Sequence, residues 1–200
     1  ARPGTRMPAA GLQILRALRT GNGRSKRTRL KGYPAHRQLH AAPRWVAARG
    51  VIAYPTQAVF GLGCDPGDRY AVERLLASKR RPAAGSLILI ASDWSQIQPG
   101  PDRLPPAQHE KLRSSWPGPT TWLIPAWQHY PHWPTVQHGS LAVRVTAHPP
   151  ARRLWQALDS AIVSTGATRS GQRPARSVLE VRLRFGSQID FVLPGRVGRL

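Results

Sequence analysis

Short apolar runs alternate with amphipathic segments from residue 51 to the end of this chain. "VIAY" (51–54), "SLILIAS" (86–92), "TTWLIPA" (120–126), "SLAVRVTAHP" (140–149), "AIVSTGA" (161–167) and "IDFVLPG" (189–195) have the length and β-branched content of strands. Between them, "DPGDRYAVERLLASKRRP", "HEKLRSSW", "PPARRLWQALDS" and "SVLEVRLRFG" carry apolar residues at helical spacing. Strands alternating with helices predict an α/β fold.

Start and stop signals agree with that division. Pro55 closes the first strand, because proline cannot donate to a sheet ladder. In the helix that follows, Asp65 or Asp68 can cap, Val72, Leu75 and Leu76 form the buried stripe, and Pro82 forbids continuation. Gly186 closes the helix of "SVLEVRLRFG" and two prolines lead that of "PPARRLWQALDS". Residues 38–48 also read as helical, with Pro43 in a first turn or dividing the segment, while "DWSQI" is helix-like and "PGPDRLPPAQ" a loop. A piece rich in tryptophan, "WPGPTTWLIPAWQHYPHW", shows no fixed period, and there is no internal repeat.

Charge points to the class of partner. Thirty Lys and Arg against nine Asp and Glu leave a formal charge of +21, which favours polyanions such as nucleotides or RNA. Eleven of those cations fall in residues 1–46, where there is no acid at all. Residues 1–37 therefore read as a basic, disordered extension, and 38–200 as the domain. A single cysteine, Cys64, excludes an internal disulfide framework, and the longest aliphatic run, "LILIA", is too short for a bilayer. The expectation is a soluble, cytoplasmic protein without a membrane partner.

Several residues could carry chemistry. Thr56 and the glycines Gly61, Gly63 and Gly67 follow a strand, where ligands enter open α/β sheets. Their G-x-G-x-x-x-G spacing is one residue too long for a dinucleotide fingerprint, and no Walker loop occurs anywhere. Lys79, Arg80 and Arg81 could hold a phosphate chain, or merely satisfy the end of a helix dipole. His129, His132 and His138 with Cys64 resemble a metal set, which a loop full of Trp and Pro explains equally well. Acids are too few and scattered to nominate an acid/base pair, so an enzyme built this way works by positioning and charge neutralisation.

The motifs "VIAYPTQAVFGLGCDP", "LLASKRRP", "LILIAS", "WPGPTTWLIPA", "LAVRVTAHP" and "IVSTGATRSG", in that order, resemble the YrdC/Sua5 family over about residues 44–200. The resemblance implies a YrdC-like open, twisted mixed sheet with flanking helices and a basic cleft, here lacking the family's final strand. It implies a nucleotidyltransferase activity: ATP, L-threonine and bicarbonate give threonylcarbamoyl-AMP and pyrophosphate, for threonylcarbamoylation of tRNA. ATP would be a substrate accompanied by Mg2+, with no bound organic cofactor. A threonylcarbamoyl-transferase complex would act downstream, and tRNA or double-stranded RNA would be possible partners.

By the same resemblance, Lys79, Arg81 and Thr168 bind ATP, and Thr56, Thr121, Arg144 and Ser177 line the threonine pocket, with Arg144 suited to the carboxylate. Each has an ordinary structural alternative: Thr56 as a turn residue, Thr121 and Arg144 as strand residues, Ser177 as a helix N-cap. Departures are visible too. The family's "STSAN" reads "STGAT", so Gly166 and Thr168 replace two nucleotide-contacting residues, and Gln57 stands where many members carry Glu. These substitutions, with the high positive charge, raise a second expectation, a catalytically impaired RNA-binding module.

Overall fold

The computed structural model describes residues 36–79, 87–127, 136–137 and 139–198, in which eight strands join one mixed sheet. The strands are β1 (Ile52–Pro55), β2 (Phe60–Cys64), β3 (Ile88–Ala91), β4 (Trp122–Pro125), β5 (Val136–Gln137), β6 (Ser140–Val145), β7 (Ile162–Gly166) and β8 (Phe191–Val192). Their order is β4-β6-β3-β7-β2-β1-β8, with β5 paired to β6, so the sheet is open. β1–β8 and β3–β6 run parallel and the other pairs antiparallel. The helices are α1 (His36–Ala47), α2 (Arg69–Ser78), α3 (Pro106–Ser115), α4 (Pro149–Leu158) and α5 (Val178–Phe185). The α/β expectation holds, with helices flanking the sheet.

The glycine stretch after Pro55 is the main correction. It is a strand, β2, which turns back on β1 as an antiparallel hairpin, with Tyr54 opposite Gly61 and Ile52 opposite Gly63. All five residues of β2 are buried. Glycine is needed there because the Tyr54 ring lies across the strand: a Cβ on Gly61 would sit 2.8 Å from Tyr54 Cζ. One on Gly63 would meet Ile162 Cδ1 at 2.5 Å and the Val163 carbonyl oxygen at 2.9 Å. Gly63→Ala is expected to lower stability by about 1–3 kcal/mol through overpacking against a neighbouring strand that cannot retreat. Thermal melts of the two proteins check it, and an unchanged midpoint would contradict the contact.

Pro43 neither starts nor divides α1; it lies inside the helix. Leu39, Ala42 and Val46 are buried against Leu154, Trp155 and Leu158 of α4. Burial of such side chains is worth roughly 1.5–3 kcal/mol for each large one, enough to offset the roughly 3 kcal/mol of an internal proline. α1 also begins ahead of the expected boundary at 38, while the readings made on residues 1–35 lie outside the described residues. "PGPDRLPPAQ" is not all loop: it holds a 3-10 turn at Pro101–Arg103, and α3 starts at Pro106.

The caps follow the sequence closely. Asp68, not Asp65, caps α2, accepting from the Ala71 amide at 3.1 Å. Gly186 ends α5 with φ +52°, a positive-φ conformation that glycine adopts without strain. Val51, Ala53, Leu62 and Val163 face α2 and α5 on one side of the sheet. Ile52, Tyr54, Ile90 and Ile162 face α1 and α4 on the other. The beginning of the hairpin is anchored by Asp190, which accepts from the Val51 amide at 2.7 Å and pairs with Arg74 at 2.9 Å. Among the described residues, no helix is long and apolar enough to cross a membrane.

Candidate active site

β6 buries Leu141, Val143 and Val145 on one side, which by alternation leaves Arg144 half-buried on the other. Arg144 pairs in register with Ile90 of β3, so its side chain stands on the face that carries Tyr54. Its Nε and Nη2 both donate to Thr121 Oγ1, at 2.9 and 2.6 Å. Thr121 directly precedes β4, the strand beside β6. No carboxylate pairs with Arg144 among the described residues. Burial lowers the pKa of the guanidinium from its ordinary value, so this cation is poorly hydrated and ready for an anion.

Arg144 opens into a cavity of about 260 Å³. One wall is the turn of the β1–β2 hairpin, Thr56 to Val59; another is the end of β7, Ser164 to Gly166; Ile88 and Ile90 of β3 and Ala151 of α4 close the apolar side. The Tyr54 ring packs edge-on against Trp155 at 4.5 Å, and its hydroxyl hydrogen-bonds Ser164 Oγ. Burial pushes the Tyr54 phenol well above its usual range, so it remains neutral. Trp155 is itself fixed by an indole N–H donated to the Ile90 carbonyl. The base of the cavity is therefore held by aromatic packing and buried hydrogen bonds.

Thr56 lines this cavity while also closing the turn, its hydroxyl donating to the Val59 carbonyl at 2.8 Å. The turn role expected of that residue holds, and the same side chain faces the cavity. Lys79 caps the C-terminal end of α2 and is only 7 % exposed. Its Nζ donates to Thr165 Oγ1 at 2.5 Å and to the Gly166 carbonyl at 3.2 Å, which brings a cation to the rim beside Gly166. Thr168 follows this rim but is not among the lining residues; its amide donates back to the Gly166 carbonyl at 2.8 Å. A Cβ added to Gly166 would meet only Thr168 Oγ1, at 3.5 Å.

Ser177 stands apart from this group. It is the N-cap of α5, accepting from the Glu180 amide at 3.2 Å, and it does not line the cavity. Arg80 and Arg81 fall outside the described residues, as do His129, His132 and His138. Cys64 is buried, and burial together with Asp65 and Asp68 pushes its thiol pKa up, an environment unsuited to a thiolate ligand. Among the described residues, no cluster of three or more metal-ligating side chains occurs.

Tyr54 and Thr146 were not singled out from the sequence. The signal for Thr146 was available, since it lies two residues beyond Arg144 and shares its face of the strand. Thr146 Oγ1 accepts from Gln57 Nε2 at 3.3 Å and from the His148 amide at 3.2 Å, tying the hairpin turn to the end of β6. His148 is 8 % exposed, bonds the Pro55 backbone and leaves Nδ1 without a partner among the described residues.

Burial of His148 lowers its pKa from 6.5, so the folded protein refuses a proton that the unfolded chain accepts. Stability is then fully present above about pH 6.5 and is lost as pH falls below that value, until the folded imidazole protonates as well. Melting temperatures taken from about pH 7.5 down to about pH 5.5 should fall, and His148→Asn should remove that part of the decline. An identical pH profile in the variant would exclude His148 as its source.

Known proteins share this fold. The Sua5/YciO/YrdC family model, described as telomere recombination, matches residues 45–199. A threonylcarbamoyl-AMP synthase of Nitrosococcus oceani is 48% identical over 162 residues, 81% of this chain and 88% of that protein. Another of the same name, from Alkalilimnicola ehrlichii, is 52% identical over 171 residues, 83% of this chain and 87% of the relative. Among solved structures, P. abyssi Sua5 complexed with L-threonine superimposes with a TM-score of 0.73 at 28% identity, covering 80% of this chain and 47% of that one. This chain thus spans about half the length of that structure. With the family model matched over residues 45–199 and these relatives about half identical over most of the chain, the chain belongs to the Sua5/YciO/YrdC family.

Proposed function

We infer that this protein is a nucleotidyltransferase that makes threonylcarbamoyl-AMP and pyrophosphate from ATP, L-threonine and bicarbonate, in the synthesis of threonylcarbamoyladenosine in tRNA. The observation that carries the reading is Arg144, a half-buried guanidinium steered by Thr121 into a small cavity, with no carboxylate of the described residues to neutralise it. A cation so placed suits the carboxylate of an amino acid. The relatives named for this reaction, and the neighbour that holds L-threonine, support the same assignment.

In this reading the side chain of threonine rests against Thr56 and the apolar wall of Ile88 and Ile90. Lys79 and Thr168 lie on the nucleotide side, where Lys79 offsets triphosphate charge, a role that Arg81 shares. Ser177 keeps its capping role. The carbamate oxygen of N-carboxythreonine attacks the α-phosphorus and the bond to pyrophosphate breaks. Such a step runs on alignment and stabilised charge, without a general base. No carboxylate lines the cavity, so the magnesium that accompanies ATP would be held by phosphate oxygens and water rather than by a resident protein site. The product would pass to a transferase complex acting on tRNA, in the cytoplasm.

Pyrophosphate release from ATP should require threonine and bicarbonate together. Equal release without threonine would reject the assignment. The positive charge also suits RNA; the built amino-acid cavity favours the enzyme over a binding module alone.

A further inference from the structure

The cavity has a cation for a carboxylate but nothing negative for an ammonium. All nine Asp and Glu of the 200 residues lie in the described parts of the chain, and none lines the cavity. Asp68 and Asp93 cap helices, and Glu73 and Asp190 hold arginines elsewhere. The undescribed stretches contain no acid, so no arrangement of residues 80–86 could supply one.

Three of the backbone oxygens along the rim are already engaged. The Val59 carbonyl takes both the Thr56 amide and hydroxyl, Phe60 takes the Ala167 amide, and Gly166 takes Lys79 and the Thr168 amide. The wall position nearest to supplying a charge is Gln57, a neutral amide bonded to Thr146.

An ammonium entering this space would meet the positive Arg144 and no counter-charge, which disfavours the charged form of the amine. We propose that the cavity binds its amino-acid substrate with the amine uncharged, and that Gln57 is the residue that makes it do so. This rests on the synthase reading and adds to it the charge state of the substrate. The consequence is chemical. A neutral amine and bicarbonate give the carbamate and one water, the new N–C bond being formed by the amine lone pair. The proton that masks this lone pair in free threonine leaves to solvent as the substrate binds. Binding thereby does what a general base would otherwise do, in a site that has none.

The titratable groups that face the amine come from several sides of the cavity. Tyr54 on β1 stays neutral and Arg144 on β6 stays charged. Lys79 approaches from the end of α2 as a further cation, and His148, behind the hairpin turn, is held neutral by burial.

The test is calorimetric titration of the full chain with L-threonine, and with the analogue whose amine is replaced by hydroxyl, between about pH 6.5 and about pH 8.5. One proton released per ligand makes threonine bind about tenfold tighter for each pH unit, while the deamino analogue shows no such slope and outbinds threonine at about pH 7. Gln57→Glu, which restores an anion, should flatten the threonine profile to less than about threefold over the range. A flat profile for the wild-type protein overturns the inference and leaves the synthase reading standing. Failure of threonine to bind at any pH overturns both.

Discussion

Replacing Arg144 by alanine is expected to raise the dissociation constant for L-threonine by about 10- to 150-fold, with ATP binding unchanged. The range follows from the roughly 1.5–3 kcal/mol carried by hydrogen bonds to a charged partner. The geometry makes this residue hard to replace: two of its nitrogens meet a single Thr121 hydroxyl, at 2.9 and 2.6 Å, which holds the planar group in place. Arg144→Lys should recover little, because a flexible ammonium lacks the fork that meets a carboxylate in two places. Thr121→Val should lie between wild type and Arg144→Ala, since the cation remains but loses its tether. Threonine titrations of the three variants, with melting curves to exclude unfolding, decide the matter. A threonine affinity in Arg144→Ala equal to that of the wild type would remove Arg144 from the site.

The second large effect is expected at Lys79. Its ammonium emerges from the end of α2 and reaches Thr165 Oγ1 and the Gly166 carbonyl, at the point where β7 runs out. If it offsets triphosphate charge, Lys79→Ala should reduce pyrophosphate release by about 10²–10³-fold, the usual consequence of deleting one preorganised electrostatic contact. A purely structural role predicts something different: a lower melting temperature, because a buried hydroxyl and carbonyl lose their donor, with turnover by the folded fraction preserved. Lys79→Met separates the two. It keeps the packing stem and removes the charge, so loss of turnover at a near-native melting temperature would identify the charge as the working part. Turnover retained in that variant would assign Lys79 to helix capping alone.

Much of the architecture was legible because local chemistry dictates it. Asp68 and Gly186 begin and end helices through their own side-chain and backbone properties, and the structure finds them there. The strand expected over "SLAVRVTAHP" is β6, whose alternation sets Arg144 opposite Leu141, Val143 and Val145. β2 escaped for an equally physical reason. Gly61 and Gly63 look like turn residues in isolation, and they are strand residues only because Tyr54 and Ile162 occupy the space their side chains would fill. α1 shows the converse, since Pro43 marks a break locally and the buried stripe against α4 overrides it.

The site divides along the same line. The excess of cations, the small number of acids and the family motifs follow from residue order alone, because composition and short-range spacing do not depend on what the chain folds against. The cavity does depend on it. Tyr54 and Ser164 are 110 residues apart in sequence, Lys79 and Thr165 are 86 apart, and Gln57 and Thr146 are 89 apart. Only the sheet order, which inserts β7 between β3 and β2, brings those pairs into contact. Whether a cation is hydrated or desolvated, and whether an acid stands within reach of a ligand, are properties of the surrounding volume, and the tertiary structure alone creates that volume.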